Sequence, residues 1–292
     1  EAFCWRRIRK DRATSAEVLM KNPGNAYLFP WRTKEDRMGL EVHQFSCLSD
    51  NYGFLIHDPE SGETATIDTP DAGAIDAALE EKQWRLTHIL NTHHHFDHAG
   101  GNEALKEKWG CTVLGFGGDY DRIPGIDRKV SENDIVDFGQ TRARVLEVAG
   151  HTSGHVAYHF EQDRMIFVGD TIFALGCGRL FEGTPQQMWS SLQKLMSLAD
   201  DTVVYCAHEY TQANATFALT VEPGNQDLLD RSEEIKRLRA SNIPTVPTSI
   251  GLERKTNPFL RPDSLNLQST IGLVGATPLE VFAETRRLKD NF

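Results

Sequence analysis

Short apolar runs separated by turn-forming residues dominate the first two thirds of the chain. Glu41–Cys47, residues 53–57 and residues 64–68 read as strands, broken by turn signals at Leu48-Ser-Asp-Asn51 and Asp58-Pro-Glu-Ser-Gly62. A 3.6-residue period then takes over at 72–84, where Ile75, Leu79 and Trp84 share one face of a predicted helix. Strands at 86–90, 111–116, 142–148, Val156–Phe160 and 165–168 alternate with a helix at Asn102–Trp109. Thr184-Pro-Gln-Gln187 has the elements of a capping box with proline at the first helical position, which predicts a helix over 185–198. After a strand at Val203–Cys206 the strand pattern nearly vanishes. Helices are predicted at 211–219, 227–240 and 278–288, joined by a stretch rich in Pro, Asn and Thr. The mixed pattern predicts an α/β or α+β fold with a helical second part beginning near Glu209.

The apolar run at 86–90 delivers Asn91-Thr-His-His-His-Phe-Asp-His-Ala-Gly-Gly101. His93, His95, Asp97 and His98 are four ligand-type side chains within six positions, on a loop that leaves a strand. In an extended segment His93, His95 and Asp97 share one side and His98 faces the other unless the chain bends. A bending loop lets two ligands serve one ion and two its neighbour. Imidazole with carboxylate suits zinc, iron or manganese, whereas a structural zinc site more often recruits cysteine. Closing two metal sites takes three more ligands, one able to bridge. His151 in Gly150-His-Thr-Ser-Gly-His155, Asp170 in Gly169-Asp-Thr171 and His208 in Ala207-His-Glu-Tyr210 all follow predicted strands, and a carboxylate has two oxygens with which to join two ions.

Charge and cysteine content narrow the field. The net charge of −11 argues against a nucleic-acid partner, which would need a basic surface, and no apolar run approaches the ~20 residues that span a bilayer. Five scattered cysteines without a C-x-x-C pair make a disulfide framework improbable, so a reducing, cytoplasmic setting is expected. Residues 1–37 stand apart, with nine basic against five acidic side chains. Residues 1–40 are expected to be a leader, either disordered or translated upstream of Met38. A transit peptide, which would imply an organellar matrix, fits less well because Asp11 and Glu17 interrupt the basic run.

The series Thr-His-x-His-x-Asp-His, Gly-His151-Thr-x-Gly-His, Gly-Asp170-Thr and His208 resembles the metallo-β-lactamase superfamily. Ala174-Leu-Gly-Cys-Gly-Arg-Leu-Phe-Glu-Gly183, Ala207-His-Glu-Tyr-Thr211, Asn257-Pro-Phe-Leu-Arg261 and Arg286-Arg-Leu-Lys-Asp-Asn-Phe292 extend the resemblance to its glyoxalase II family of bacterial type, over residues 41–292. The resemblance implies an αβ/βα sandwich at 41–208 and a smaller all-helical glutathione-binding domain at 209–292. It also implies a hydrolase of the thioester S-D-lactoylglutathione with two divalent ions, zinc first and iron or manganese as alternatives; separately, a monomer is expected. His93, His95 and His151 would then hold one metal and Asp97, His98 and His208 the other, with Asp170 as bridge. Asp97 and Asp170 would be the catalytic carboxylates. Asp68 matches a carboxylate that supports a ligand or is a turn residue, and His155 supports the site or is structural. Arg179, Phe181, Tyr210, Arg286 and Lys289 would contact glutathione. Phe181 stands where some relatives carry tyrosine, and Arg179 where they carry lysine. A solvated helix end is the plainer reading of Arg286 and Lys289. The rival functions are a single-iron persulfide dioxygenase, a β-lactamase, a nuclease and a metal-dependent binding module without activity.

Overall fold

A computed structural model describes residues 39–292; residues 1–38, on which most of the leader reading falls, lie outside the described residues. Leu40, assigned to the leader by sequence, is buried in the core, and its N–H donates to Asp163 Oδ1 at 3.2 Å. Elements are numbered in chain order. One sheet has the order β1 (Glu41–Cys47), β2 (Asn51–His57), β3 (Thr64–Ile67), β4 (His88–Leu90), β5 (Thr112–Phe116) and β6 (Arg128–Val130). β1 to β3 form the predicted antiparallel meander, and β3 to β6 run parallel. Parallel neighbours need crossovers. Helix α1 (Ala72–Lys82) joins β3 to β4, while α2 (Phe96–Ala99) and α3 (Asn102–Trp109) join β4 to β5.

The second sheet is assembled from β7 (Ile135–Phe138), β8 (Thr141–Glu147), β9 (Val156–Phe160), β10 (Met165–Gly169) and β13 (Val203–Cys206), closed at its edge by β14 (Thr248–Ser249). A two-stranded ribbon, β11 (Ile172–Phe173) and β12 (Gly176–Cys177), follows β10. One apolar cluster holds Phe54, Ile56 and Leu114 of the first sheet together with Val145, Phe160 and Phe167 of the second, so the sheets face each other across it. Leu55, Ile89 and Val113 point the other way and pack beneath Ile75, Leu79 and Leu105 of α1 and α3. That double burial explains why the central strands read as continuous apolar runs.

Helix α1 stops at Lys82, short of the predicted Trp84, because Gln83 adopts a left-handed conformation. Trp84 instead stacks on His57 at 4.5 Å. The predicted capping box is present at Thr184 and Gln187, and α4 (Pro185–Met196) follows it. Downstream lie α5 (Thr211–Val221), α6 (Gln226–Ala240), α7 (Ile250–Thr256), α8 (Leu265–Ile271) and α9 (Pro278–Asp290). α7 and α8 correct the expectation of a loop at 241–277. Their signals were short, a serine cap at Ser249 and another at Ser264. No helix among the described residues is long and apolar enough to cross a membrane.

Glu253 on α7 is fully buried and fixes several of these parts together. It accepts from Leu175 N at 2.9 Å, Asn257 Nδ2 at 3.0 Å and Thr248 Oγ1 at 2.6 Å, and pairs with the buried guanidinium of Arg231. Asn257 in turn donates to the carbonyls of Phe173 and Gly176, so the network seats the β11–β12 ribbon. Glu253→Ala should lower unfolding free energy by about 3–5 kcal/mol, because it strands a buried cation. Chemical denaturation would show this as an early midpoint, whereas Arg164→Ala, at the exposed pair with Asp201, should leave the midpoint unmoved.

Candidate metal centre

The candidate ligands all follow strand ends on one edge of the sandwich. In the parallel pair β3–β4, Ile67 lies beside Leu90, so Asp68 emerges next to the histidine segment. In the parallel pair β10–β13, Gly169 lies beside Cys206, which brings Asp170 and His208 to one place. After His93 and His95 the chain turns into α2, so Asp97 and His98 follow one another on a helical turn. This turn is the bend that His98 required. Gly101 is needed for a close approach, since a Cβ there would lie 2.9 Å from Thr69 O.

His93, His95 and His151 form one group with ligand atoms within 4.8 Å of one another, and Asp97, His98 and His208 form a second. In the first, His95 Nδ1 lies 3.1 Å from both His93 Nε2 and His151 Nε2. In the second, Asp97 Oδ2 lies 3.5 Å from the Nε2 atoms of His98 and His208. Asp170 stands between them. Its Oδ2 is 3.4 Å from His151 Nε2, and its Oδ1 is 3.4 Å from both His98 Nε2 and His208 Nε2. His98 Nε2 and Asp170 Oδ1 are buried without a hydrogen-bond partner, which is costly unless a cation fills the space.

The outward ring nitrogens decide what the inward ones can do. His151 Nδ1 faces the carbonyl of Arg179 at 2.7 Å, and a carbonyl can only accept, so that nitrogen carries the proton and Nε2 points a lone pair inward. Carboxylates act likewise on the second group, Asp68 Oδ2 at 2.8 Å from His98 Nδ1 and Asp50 Oδ1 at 2.8 Å from His208 Nδ1. His93 Nδ1 meets Thr92 Oγ1 at 3.0 Å. Asp68 is therefore more than a turn residue. Its φ of 58° aims the carboxylate at Thr92 N and Oγ1 as well as at His98. His155 stacks on His93, and its Nε2 accepts from the backbone N–H of Asp170 at 3.1 Å, so it steadies the bridge candidate.

Burial, reinforced by the neighbouring imidazoles, holds His93 well below the usual histidine range and brings His95 down to about 4. Burial also lowers His151 and His155. Burial alone would depress His98 too, but Asp170 and Asp68 push it up to about 9, and Asp170 likewise raises His208. Burial would raise Asp170, yet His98 and His208 hold it well below the carboxylate range. The set thus pairs neutral imidazoles at His93, His95 and His151 with imidazoles at His98 and His208 whose protons the surrounding carboxylates hold, and a bound cation would take the place of those protons.

Around this centre, Phe181 is exposed and edges onto His95 and His151 at 5.8 and 5.2 Å. Tyr210 stacks flat on His208 at 4.7 Å. Arg286 departs from the solvated helix end. It is buried, donates from Nη1 to Cys177 O at 2.8 Å, and pairs through Nη2 with Asp290 at 3.0 Å. The exposed Arg179 also reaches Asp290, at 3.4 Å. Lys289 lies over the Phe217 and Phe292 rings, and burial lowers its pKa, with the charge of Arg286 adding to the effect. His94 faces away from the ligands, toward Asp119, Glu182 and Arg122. His43 stacks on Phe45, His57 bonds Thr64, His88 bonds Thr87 and His159 is buried in β9.

The metallo-beta-lactamase superfamily model matches residues 60–208, and the hydroxyacylglutathione hydrolase C-terminus model matches residues 209–292. The hydroxyacylglutathione hydrolases of Maricaulis maris and Methylococcus capsulatus are each 54% identical over 253 residues, 87% of this chain and 99% of each relative. The chain belongs to the hydroxyacylglutathione hydrolase family. The fold is also that of the crystal structure of ETHE1 from Myxococcus xanthus, with a TM-score of 0.59 and 25% identity over 86% of this chain and 100% of that one. As a hydroxyacylglutathione hydrolase of the metallo-β-lactamase superfamily, with histidine and aspartate groups gathered at one edge, the chain takes a divalent metal cofactor.

Several residues that hold this centre carry no local signal in the sequence. Asp50 orients His208, Asn51 Nδ2 donates to Asp97 Oδ2 at 3.1 Å, and Tyr52 with Thr245 anchors Glu209. Asp50 lies in a turn signal, 158 positions from its partner, and no local pattern marks it. Because Asp68 orients His98, Asp68→Ala should weaken metal retention by roughly 10–100-fold. Competition against a chromogenic chelator checks this, and wild-type retention would mean that Asp68 serves the turn alone.

Proposed function

We propose that this chain hydrolyses S-D-lactoylglutathione to D-lactate and glutathione, the second step of methylglyoxal detoxification. The observation that carries the reading is Asp170, whose two oxygens face two separate ligand groups. His93, His95 and His151 with Asp170 would hold one divalent ion, and Asp97, His98 and His208 with Asp170 the other. Zinc is the proposed ion, and iron or manganese suits the same donors. Two such ions, when bound, bring the pKa of a bound water toward neutrality and polarise an acyl carbonyl.

The remaining work falls to the chain's own side chains. Asp97 is half-exposed and fixed by Asn51, so its carboxylate can accept a hydrogen bond from the attacking water while touching both histidines. Phe181 and Tyr210 stand over opposite ligand groups, where they would flank a bound thioester. Glutathione presents two carboxylates, and Arg179, Arg286 and Lys289 are the cations proposed to meet one of them, the two arginines also pairing with Asp290. The thiolate is a good leaving group, so charge stabilisation at the carbonyl oxygen should supply most of the catalysis. The four cysteines among the described residues are buried and free, in keeping with the proposed reducing, cytoplasmic setting, and a monomer is the form proposed.

Thiol release from S-D-lactoylglutathione, measured beside elemental analysis of the purified chain, tests the reading. A metal-loaded protein that leaves the thioester intact would overturn it. Asp170→Asn should lose metal and activity together, by at least the roughly 10–100-fold seen when a residue that merely orients a ligand is replaced. Lys289→Ala should raise KM with metal content intact. Loss of one charge-assisted hydrogen bond, roughly 1.5–3 kcal/mol, lowers kcat/KM about tenfold to a hundredfold. Arg286→Ala should in addition lower the melting temperature, because Arg286 also ties α9 to the Cys177 carbonyl.

A further inference from the structure

One charged cluster beside the centre is not used by the reaction described above. Arg122 lies on the loop between β5 and β6, and its guanidinium reaches residues from three other stretches. Nη1 is 2.6 Å from Glu182 Oε1 and 3.2 Å from His94 Nε2. Nη2 donates to Asp119 Oδ1 at 2.7 Å, to Ser153 Oγ at 3.0 Å and to Glu182 Oε2 at 3.3 Å. Glu182 Oε2 also accepts from Ser153 N at 2.8 Å and Oγ at 2.7 Å. Asp119 is buried, with Oδ2 at 3.3 Å from His94 Nδ1, and Gly154 is required there because a Cβ would fall 2.4 Å from that oxygen.

Each stretch drawn in carries or supports a ligand of the first group. His94 separates His93 from His95. Ser153 lies two residues after His151, and the segment that ends in Glu182 supplies the Arg179 carbonyl to His151 Nδ1, while the N–H of Phe181 donates to His151 O. The second group is held by other residues, Asn51, Asp50 and Asp68, and Arg122 touches none of them. We infer that Arg122 is a positioning residue that sets the geometry of the His93, His95 and His151 group and leaves the Asp97, His98 and His208 group alone.

This inference rests on the two-ion reading, and zinc release from the loaded full-length chain to a chromogenic chelator separates the two. Wild-type protein should hold two zinc ions. Arg122→Ala should hold one of them about 10–100-fold more weakly, with the other unchanged. Arg122→Lys should recover only part of the loss, since an ammonium cannot reach His94, Asp119 and Glu182 with the fixed fork of a guanidinium. Glu182→Gln, which keeps the side-chain shape, should show a milder version of the same one-ion effect and carries the test if Arg122→Ala does not fold. Wild-type release of both ions from the variants overturns the inference alone. So does equal weakening of both ions with a lowered melting temperature of the zinc-free protein, which would mark a general structural role. A wild-type chain that holds fewer than two zinc ions overturns the two-ion reading and this inference with it.

Discussion

The organising constraint of this molecule is that seven ligand-type side chains must turn lone pairs toward one another in a largely desolvated space. Left to themselves, the imidazoles would turn away to other partners, and Asp170 would seek a donor. Four of the five imidazoles are held from behind. Thr92, Asp68, Asp50 and the Arg179 carbonyl each occupy an outward nitrogen, and the backbone N–H of Asp170 is taken by His155. Buried polar groups arranged in this way are stable only when every position but the intended one is satisfied.

The sandwich meets that demand with strand ends. Parallel pairing of β3 with β4 and of β10 with β13 sets side by side residues that lie far apart in sequence, and the shared apolar cluster between the sheets fixes the spacing of the two edges. The helical part is drawn into the same work. Glu209, next to His208, accepts from Tyr52 of β2 and from Thr245, while Glu253 and Asn257 seat the ribbon whose Phe173 packs on His208. A change in the helices therefore reaches the site through rigid contacts.

Much of this could be read from the sequence where the signal was local. The histidine stretch, the capping box at Thr184 and the central apolar strands all owe their structure to neighbours within a few residues. The residues that escaped depend on distant partners. β6, with its Arg-Lys-Val sequence, is a strand because β5 lies beside it, and α7 is secured by the buried Glu253 rather than by a strong apolar face. Arg286 reads as a solvated cation at a helix end, yet Phe259 and Cys177 bury it. Asp50 and Arg122 look like ordinary loop charges until the fold supplies His208 and Glu182.

The two ligand groups are unequal, and the inequality follows from what lies behind them. The Asp97, His98 and His208 group has a carboxylate of its own and two more behind its histidines, so it is rich in negative charge. The His93, His95 and His151 group is backed by a hydroxyl and a backbone carbonyl, and apart from Asp170 it offers only neutral donors. Charge attracts a cation even when the geometry is loose, whereas neutral lone pairs depend on being aimed. The first group therefore has more to lose from disorder in its loops, and it is there that the Arg122 network ties three loops together.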